Sequence, residues 1–370
     1  MSRPEVLRPP RRFRPAVEWL LALIPVVLIL DRAAVVAPVV FFVAALAIIP
    51  LAALIVRSTE HVAEHTGPGV GGLLNATFGN LPELIIAFVA LRAGLVDMVR
   101  ASLIGAILAN VLLALGIAFL LGGRRHHVMD YNPAGARTYG SMLMLAVVTL
   151  AVPAAFHRFL GAAAPESGRS VSVGTSLVLL ATYICYLVYT VRTHRDFFAA
   201  HERHDPAEHG GPAWSAARAV GTLLAASVGA AWISETLVGA AEATGHALGM
   251  SPIFLGMVLL AVIGGAAESG SAIAMGRKNK PDLAVGIAMG SSIQIALFVT
   301  PVLVLLSGTV TTASLNLSFS RLEIGALLLG TLIVVTTSGD GRATWFKGVQ
   351  LLAVYLIIAG CVYWMPVVAP

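Results

Sequence analysis

Apolar runs long enough to cross a bilayer alternate with short polar breaks along almost the whole chain. A helix spanning about 30 Å of hydrocarbon needs about 20 residues. By that measure the pattern predicts about eleven spans, near residues 16–30, 34–56, 69–93, 97–121, 139–157, 173–192, 216–241, 251–276, 281–307, 321–337 and 345–366. The first is the shortest, and no stretch between spans has the length of a separate soluble domain. The fold class expected is an all-α integral membrane protein.

Within that pattern the third span carries an anomaly. Glu83 is the only acid between Glu64 and Asp97, and it sits where lipid or protein must surround it. An ionised carboxylate at that depth is costly unless it meets a cation, a proton or water, so it is read as a functional site. Gly79 and Pro82 lie just before it. Both weaken a helix, and the backbone carbonyls they free can face a cavity but not lipid. The pattern returns once. A shift of 185 positions, without gaps from Gly71 to Gly123, sets Glu83 on Glu268, Gly79 on Gly264, Arg92 on Arg277 and Asp97 on Asp282. It also sets Gly71 on Gly256, Gly105 on Gly290 and Gly123 on Gly308. Coincidences of rare or conformationally special residues in one register indicate an internal duplication, which in membrane proteins points to a transporter with its site at the repeat interface.

Composition narrows the picture only a little further. With 12% charged residues, the chain is too apolar for a soluble protein of 370 residues. The net charge of +5 does not indicate a nucleic-acid partner, because the basic residues are scattered through short loops. Cys185 and Cys361 both lie in apolar runs, which leaves no disulfide framework or thiolate metal site. Basic residues do set orientation. With the N-terminus inside, eighteen of the 24 Lys and Arg fall on the cytoplasmic side and six, Arg32, Arg92, Arg100, Arg158, Arg169 and Arg321, on the other. The C-terminus is then outside. The two copies begin at the third and eighth spans, and that odd separation inverts one relative to the other. The domains expected are a basic tail with the first span (1–33), a five-helix repeat (34–193), a cytoplasmic linker (194–213) and the second, inverted repeat (214–370).

Inversion about an axis in the membrane plane brings equivalent residues together near the midplane, so Glu83 and Glu268 should approach each other. Two facing carboxylates are neutralised by one divalent cation or by two protons. Desolvation and mutual repulsion favour the protonated forms, so metal and protons compete for the same oxygens. Hard oxygen ligands suit Ca²⁺ and related cations. Asn80 and the carbonyls around Gly79 and Gly264 are candidate further ligands. The position matching Asn80 in the second copy is Gly265, which offers backbone only. Ser102, Asn110, Ser291, Ser292 and Gln294 put polar groups into the fourth and ninth spans as a candidate pathway lining, against the alternative of helix-packing contacts. Glu235, 17 residues beyond Arg218 and so about 25 Å along a helix, belongs toward the outer end of the seventh span, as an entrance, a relay or a plain interfacial acid.

Two other features compete for attention. The linker holds His194, His201, His204 and His209 among four acids, a solvated connection that could also hold a regulatory cation. His61-Val-Ala-Glu64-His65 fits the H-x-x-E-H pattern of a class of zinc peptidases. No third ligand stands out, and the pattern sits at the end of the second span. A membrane metallopeptidase is accordingly a minor alternative, and a cation channel with an acidic ring is another.

Ala47-Ile-Ile-Pro-Leu-Ala52, Thr59-Glu60, Gly71-Gly-Leu-Leu-Asn-Ala-Thr-Phe-Gly-Asn80, Glu83-Leu-Ile-Ile, Ala101-Ser-Leu-Ile-Gly105 and Asn110 resemble the first signature region of the cation/proton exchanger (CAX) family of the Ca²⁺:cation antiporter superfamily. Gly264 to Glu268, Gly290-Ser-Ser-Ile-Gln-Ile-Ala-Leu-Phe298 and Pro301 are similar to its second region, and Gly174-Thr-Ser, Tyr183 and Thr193-His194 to its sixth span. The resemblance covers about residues 40 to 310. It implies an eleven-span Ca²⁺/H⁺ antiporter without a cofactor and without enzymatic activity. In that family the acids matching Glu83 and Glu268 bind the cation and exchange it for protons, and broken third and eighth spans shape the site. Departures fall at Gly265, where the family usually has Asn, at Ser269, where it has His, and at Leu81-Pro82. They keep the Glu pair but remove an amide and an imidazole, so Na⁺ or K⁺ in exchange for H⁺ is the alternative. The expected partners are the bilayer and the transported ions, with a homo-oligomer left open. The short tail and lack of an added regulatory domain point to a bacterial inner membrane.

Overall fold

A computed structural model describes residues 17–66, 68–160, 165–193, 214–310 and 314–365. The expected basic tail and the His-rich linker lie outside the described residues. The chain is helical nearly throughout. Its helices are α1 (Leu23–Arg32), α2 (Ala37–Thr66), α3 (Pro68–Phe78), α4 (Leu81–Arg92), α5 (Val96–His126), α6 (Pro133–Leu160) and α7 (Ser167–Thr193) in the first half. The second half has α8 (Ala216–Leu248), α9 (Pro252–Gly264), α10 (Ala266–Arg277), α11 (Pro281–Val310), α12 (Arg321–Ser338) and α13 (Trp345–Tyr363). One short antiparallel pair, β1 (Val128–Asp130) with β2 (Arg342–Thr344), ties the loop after α5 to the start of α13.

Among the described residues eight helices are long and apolar enough to cross a membrane, and α9 with α10, bent by 61°, makes a ninth. Large apolar side chains such as Val228, Leu224, Ile184 and Leu329 remain exposed, as they must where the outer solvent is lipid. The protein is an integral membrane protein. Several helices outrun their apolar stretch: α2 continues to Thr66 rather than stopping near 56, and α8 to Leu248, because backbone hydrogen bonding continues into polar turns that side chains satisfy. Ser215 starts α8 by accepting from the Arg218 amide, and Ser320 with Glu323 forms a reciprocal capping box on α12.

Of the expected first span, the described residues form a six-residue 3₁₀ turn, Val17–Ala22, followed by the ten-residue α1. Pro25 lacks a backbone N–H and is tolerated only in the first turn of an α-helix, so the regular helix begins just ahead of it. The third span is broken where Gly79 and Pro82 lead one to expect it, into two half-helices, α3 and α4, separated at Gly79 and Asn80.

The duplication has counterparts in the backbone. Asn80 is the N-terminal flank of α4 and Gly265 that of α10, in the same register as the sequence match. α5 and α11, each following a broken pair, both widen into a π-helical turn, Ala109–Ala114 in one and Ile295–Val299 in the other. α2 packs along α8, and α5 packs against α9. The second contact is close enough to require glycine: a Cβ at Gly105 would sit 2.0 Å from the Met257 carbonyl oxygen, and one at Gly256 would sit 2.4 Å from that of Met98.

Candidate cation site

Both breaks put an acid in the first turn of the half-helix that follows. Asn80 and Gly265 leave helical geometry, α4 and α10 restart, and Glu83 and Glu268 occupy equivalent positions three residues on. An acid there faces the positive end of its own helix dipole. Pro82 costs nothing at this point, because the first-turn amides have no intrahelical acceptor.

The two acids are buried, at 7% and 8% exposure, and none of their four carboxylate oxygens has a hydrogen-bond partner. They lie near enough for their charges to interact. The geometry that permits this is the glycine pair of the second break. A Cβ at Gly264 would be 3.2 Å from Glu83 Cγ, and one at Gly265 would be 3.7 Å from Glu83 Oε1. α4 therefore rests its acid directly on the bare backbone that leads into Glu268. Neither acid turns to lipid.

Four of the expected polar residues converge on one network beside the pair. Asn110 Nδ2 donates to Ser291 Oγ at 3.0 Å, and the Ser291 hydroxyl donates to Asn80 Oδ1 at 2.6 Å. Asn80 Nδ2 in turn donates to Gln294 Oε1. Asn80 thus joins the half-helix break to α11, with both ends of its amide engaged. Gly79 lies against the same group, since its Cβ would be 3.7 Å from Gln294 Oε1.

The remaining candidates sit elsewhere. Ser292 donates to Ala288 O at 2.8 Å and reaches Ile107 O at 3.4 Å, which makes it part of the α5–α11 seam. Ser102 donates to Val99 O within its own helix. Glu235 is exposed and lies 3.7 Å from Arg92 as an open surface pair. The His61–Glu64–His65 pattern is taken up by Trp214. His61 stacks on that indole with ring centroids 4.8 Å apart, and His65 Nε2 donates to its carbonyl at 2.7 Å. The guanidinium groups of Arg57 and Arg218 lie over the same ring, at 5.0 and 4.5 Å. Among the described residues no group of three or more His, Cys, Asp or Glu is placed to hold a metal ion.

One acid near the site was not singled out from sequence. Glu60 of α2 lies close enough to Glu268 for their charges to repel. Its only signal was its place within the Thr59-Glu60 signature, at the end of a span where acids are ordinary.

A family model described as sodium/calcium exchanger protein matches residues 36–192 and 218–364. The chain is 38% identical over 345 residues to a Ca²⁺/H⁺ antiporter of Synechocystis sp., covering 88% of this chain and 91% of that one. It is 40% identical over 322 residues to the Ca²⁺/H⁺ antiporter ChaA of Bacillus subtilis, covering 87% and 91%. The solved structure of native YfkE superposes with a TM-score of 0.81 at 35% identity, covering 95% of this chain and all of that one.

Proposed function

Because the chain belongs to the sodium/calcium exchanger family, a family of transporters and not enzymes, we propose that it exchanges Ca²⁺ for H⁺ across its membrane by alternating access around Glu83 and Glu268. The observation that carries this reading is the pair of buried carboxylates, brought together at two helix breaks with every oxygen unpartnered. Buried charges are ordinarily paired or bound to a metal. Two carboxylates that no protein group satisfies are satisfied by cargo, either one divalent cation or two protons.

The names of the relatives supply the ion, since both are called Ca²⁺/H⁺ antiporters. The oxygen-only donor set agrees with a hard cation. Cytoplasmic Ca²⁺ leaves as protons enter, with the basic ends of α2 and α8 on the cytoplasmic side of a bacterial inner membrane, the N-terminus inside and the C-terminus outside. The two inverted repeats, 34–193 and 214–370, form the two halves that open in turn.

The test is flux into vesicles holding the purified protein under an imposed pH gradient, with Ca²⁺, Mn²⁺, Na⁺ and K⁺ offered in turn. Ca²⁺ should move against its gradient, and Glu83→Gln or Glu268→Gln should stop it. Undiminished Ca²⁺ flux in both variants would remove the pair from the mechanism, and flux that ignores the pH gradient would indicate a channel.

A further inference from the structure

A cavity of about 470 Å³ opens at the C-terminal end of α6, between α5, α6, α9 and the loop that leads into α12, without Glu83 or Glu268 in its lining. That is the size of a small-ligand cleft, about 300–1,000 Å³. Its walls carry both signs of charge on different elements. Asp97 of α5 and Glu323 of α12 bring carboxylates, Asn316 and Ser318 of the loop bring neutral oxygens, and Arg158 of α6 brings a guanidinium.

The other basic groups of the cavity are already spent. Arg100 gives Nη1 to Asp97 Oδ1 at 2.7 Å and Nη2 to Asn316 Oδ1 at 2.9 Å. The Ser172 hydroxyl donates to Gly168 O at 2.9 Å, so it can only accept from His157 Nε2, 3.1 Å away, and the imidazole proton is committed there. Among the described residues no hydrogen bond or ion pair engages Arg158. With His157 neutral, Arg100 and Arg158 balance Asp97 and Glu323. The cavity is thus without net charge, yet it keeps an unspent guanidinium on one wall and carboxylates on others.

A second hollow adjoins it. A groove of about 380 Å³ runs between α6 and α7, lined mainly by Val148, Val152, Pro153, Phe156 and Val171. Pro153 lies inside α6, where its ring crowds the preceding turn. Val148, Val152 and Phe156 are exposed, as side chains facing lipid are. Phe156 and Val171 are the chain neighbours of His157 and Ser172, whose hydrogen bond therefore stands between groove and cavity.

We propose that the two hollows form one phospholipid site, in which the groove takes an acyl chain and the cavity a phosphoethanolamine headgroup, with its phosphate on Arg158 and its ammonium among Asp97, Glu323 and the loop oxygens. A guanidinium fork matches phosphate with two parallel hydrogen bonds. A primary ammonium has three N–H donors for the carboxylates and the loop, whereas choline has none. A headgroup with net negative charge would unbalance a cavity whose own charges cancel. The end of α6, where Phe159 is 88% exposed, is the level at which aromatic side chains meet headgroups. This site is separate from the buried acids and does not depend on the exchanger reading.

The test is native mass spectrometry of the full chain, released from detergent after equilibration with phosphatidylethanolamine, phosphatidylcholine or phosphatidylglycerol of identical chains. Phosphatidylethanolamine should be retained about tenfold more strongly than the other two, as a few charge-assisted hydrogen bonds allow. Arg158→Gln should erase that preference while melting in lipid-free detergent at the parent's temperature, which separates loss of a site from loss of fold. Asp97→Asn, on another wall, should lower the preference over phosphatidylcholine severalfold. Val152→Trp, which fills the groove, should weaken retention of all three lipids, and retention indifferent to it counts against the proposal. Water-soluble phosphoethanolamine should raise the melting temperature far less than short-chain phosphatidylethanolamine does; an equal rise would make this a site for a free solute and overturn the lipid assignment. Equal retention of the three lipids by the parent, or a preference that survives both Arg158→Gln and Asp97→Asn, would overturn the proposal.

Discussion

If Glu83 and Glu268 are kept for cargo, the fold itself gains nothing from them, and replacing either with Met should leave a protein that is inert and yet at least as stable. Met is close to Glu in length and volume and asks for no hydrogen bond. An unsatisfied buried polar group costs about 1–3 kcal/mol, and each of these acids leaves both oxygens without a partner. Exchanging buried ionisable groups for apolar ones of similar volume is often neutral or stabilising by about 1–4 kcal/mol. For chains of 150–250 residues 1 kcal/mol moves the melting temperature by about 2–4 °C, so a rise of a few degrees is expected in this 370-residue chain. The same experiment reads binding. Ca²⁺ at a hundred times its dissociation constant stabilises a protein that binds it by about 2.7 kcal/mol. The parent protein should therefore melt higher in Ca²⁺ than in chelator, and Glu83→Met and Glu268→Met should melt alike in both. The assay is thermal unfolding of detergent-purified protein, with and without Ca²⁺. Variants less stable by more than about 1 kcal/mol would mean that the acids build the fold. A Ca²⁺-dependent shift surviving in both would place the cation elsewhere.

Other expectations follow from contacts away from the acids. Gly105→Val drives a side chain into the Met257 carbonyl, which a Cβ alone would meet at 2.0 Å, and overpacking of this kind costs about 1–3 kcal/mol or more; the yield of folded protein and its melting temperature should both fall. Trp214→Ala removes the ring shared by Arg57, Arg218 and His61, and loss of a buried Trp costs about 3–5 kcal/mol, so a lowered melting temperature is expected; an unchanged one would refute the clamp. Asn80→Ala strands the Ser291 hydroxyl and the Gln294 carbonyl, at about 1–3 kcal/mol per unsatisfied group, whereas Asn80→Asp keeps the acceptor for Ser291 and should melt nearer the parent.

What could be read from the chain alone depended on how rare each signal is. An acid inside a long apolar run is conspicuous, and glycines and arginines repeating in one register identified its counterpart, so Glu83, Glu268 and both helix breaks were legible. Partnership was not. Asn80, Asn110, Ser291 and Gln294 stood out as polar residues in apolar spans, but nothing local says that Asn80 meets Ser291 from 211 positions away while Ser292, one residue on, turns to its own backbone. Spacing misled at His61 and His65. An i, i+4 pair shares a helix face whatever that face is for, and here it holds an indole whose position beside a helix cap carries no signal of its own.

The absence of partners around the acids bears directly on coupling. A carboxylate pair held by arginines or backbone amides would be content without cargo, and the transporter could then reorient unloaded, returning without protons and wasting the gradient. A buried pair that no protein group satisfies is tolerable only when its charge is cancelled, since an isolated buried ion costs far more than a folded protein can spare. Of the states open to Glu83 and Glu268, those carrying one divalent cation or two protons are neutral, and the doubly ionised state is the one that cannot be sealed. On the proposed mechanism, exchange is obligatory because the forbidden step is the empty one. A cation fixed beside the pair should change this rule. Ser269→Lys, one residue from Glu268 on α10, offers such a charge: the ammonium with one ionised and one protonated carboxylate is neutral, so the carrier should return with one proton in place of two. The protons taken up per Ca²⁺ released should then fall toward one, measured from paired Ca²⁺ and pH indicators in vesicles. An unchanged ratio, in a variant whose Ca²⁺ affinity is weakened and whose lysine is therefore at the site, would refute the argument that bare carboxylates enforce the coupling.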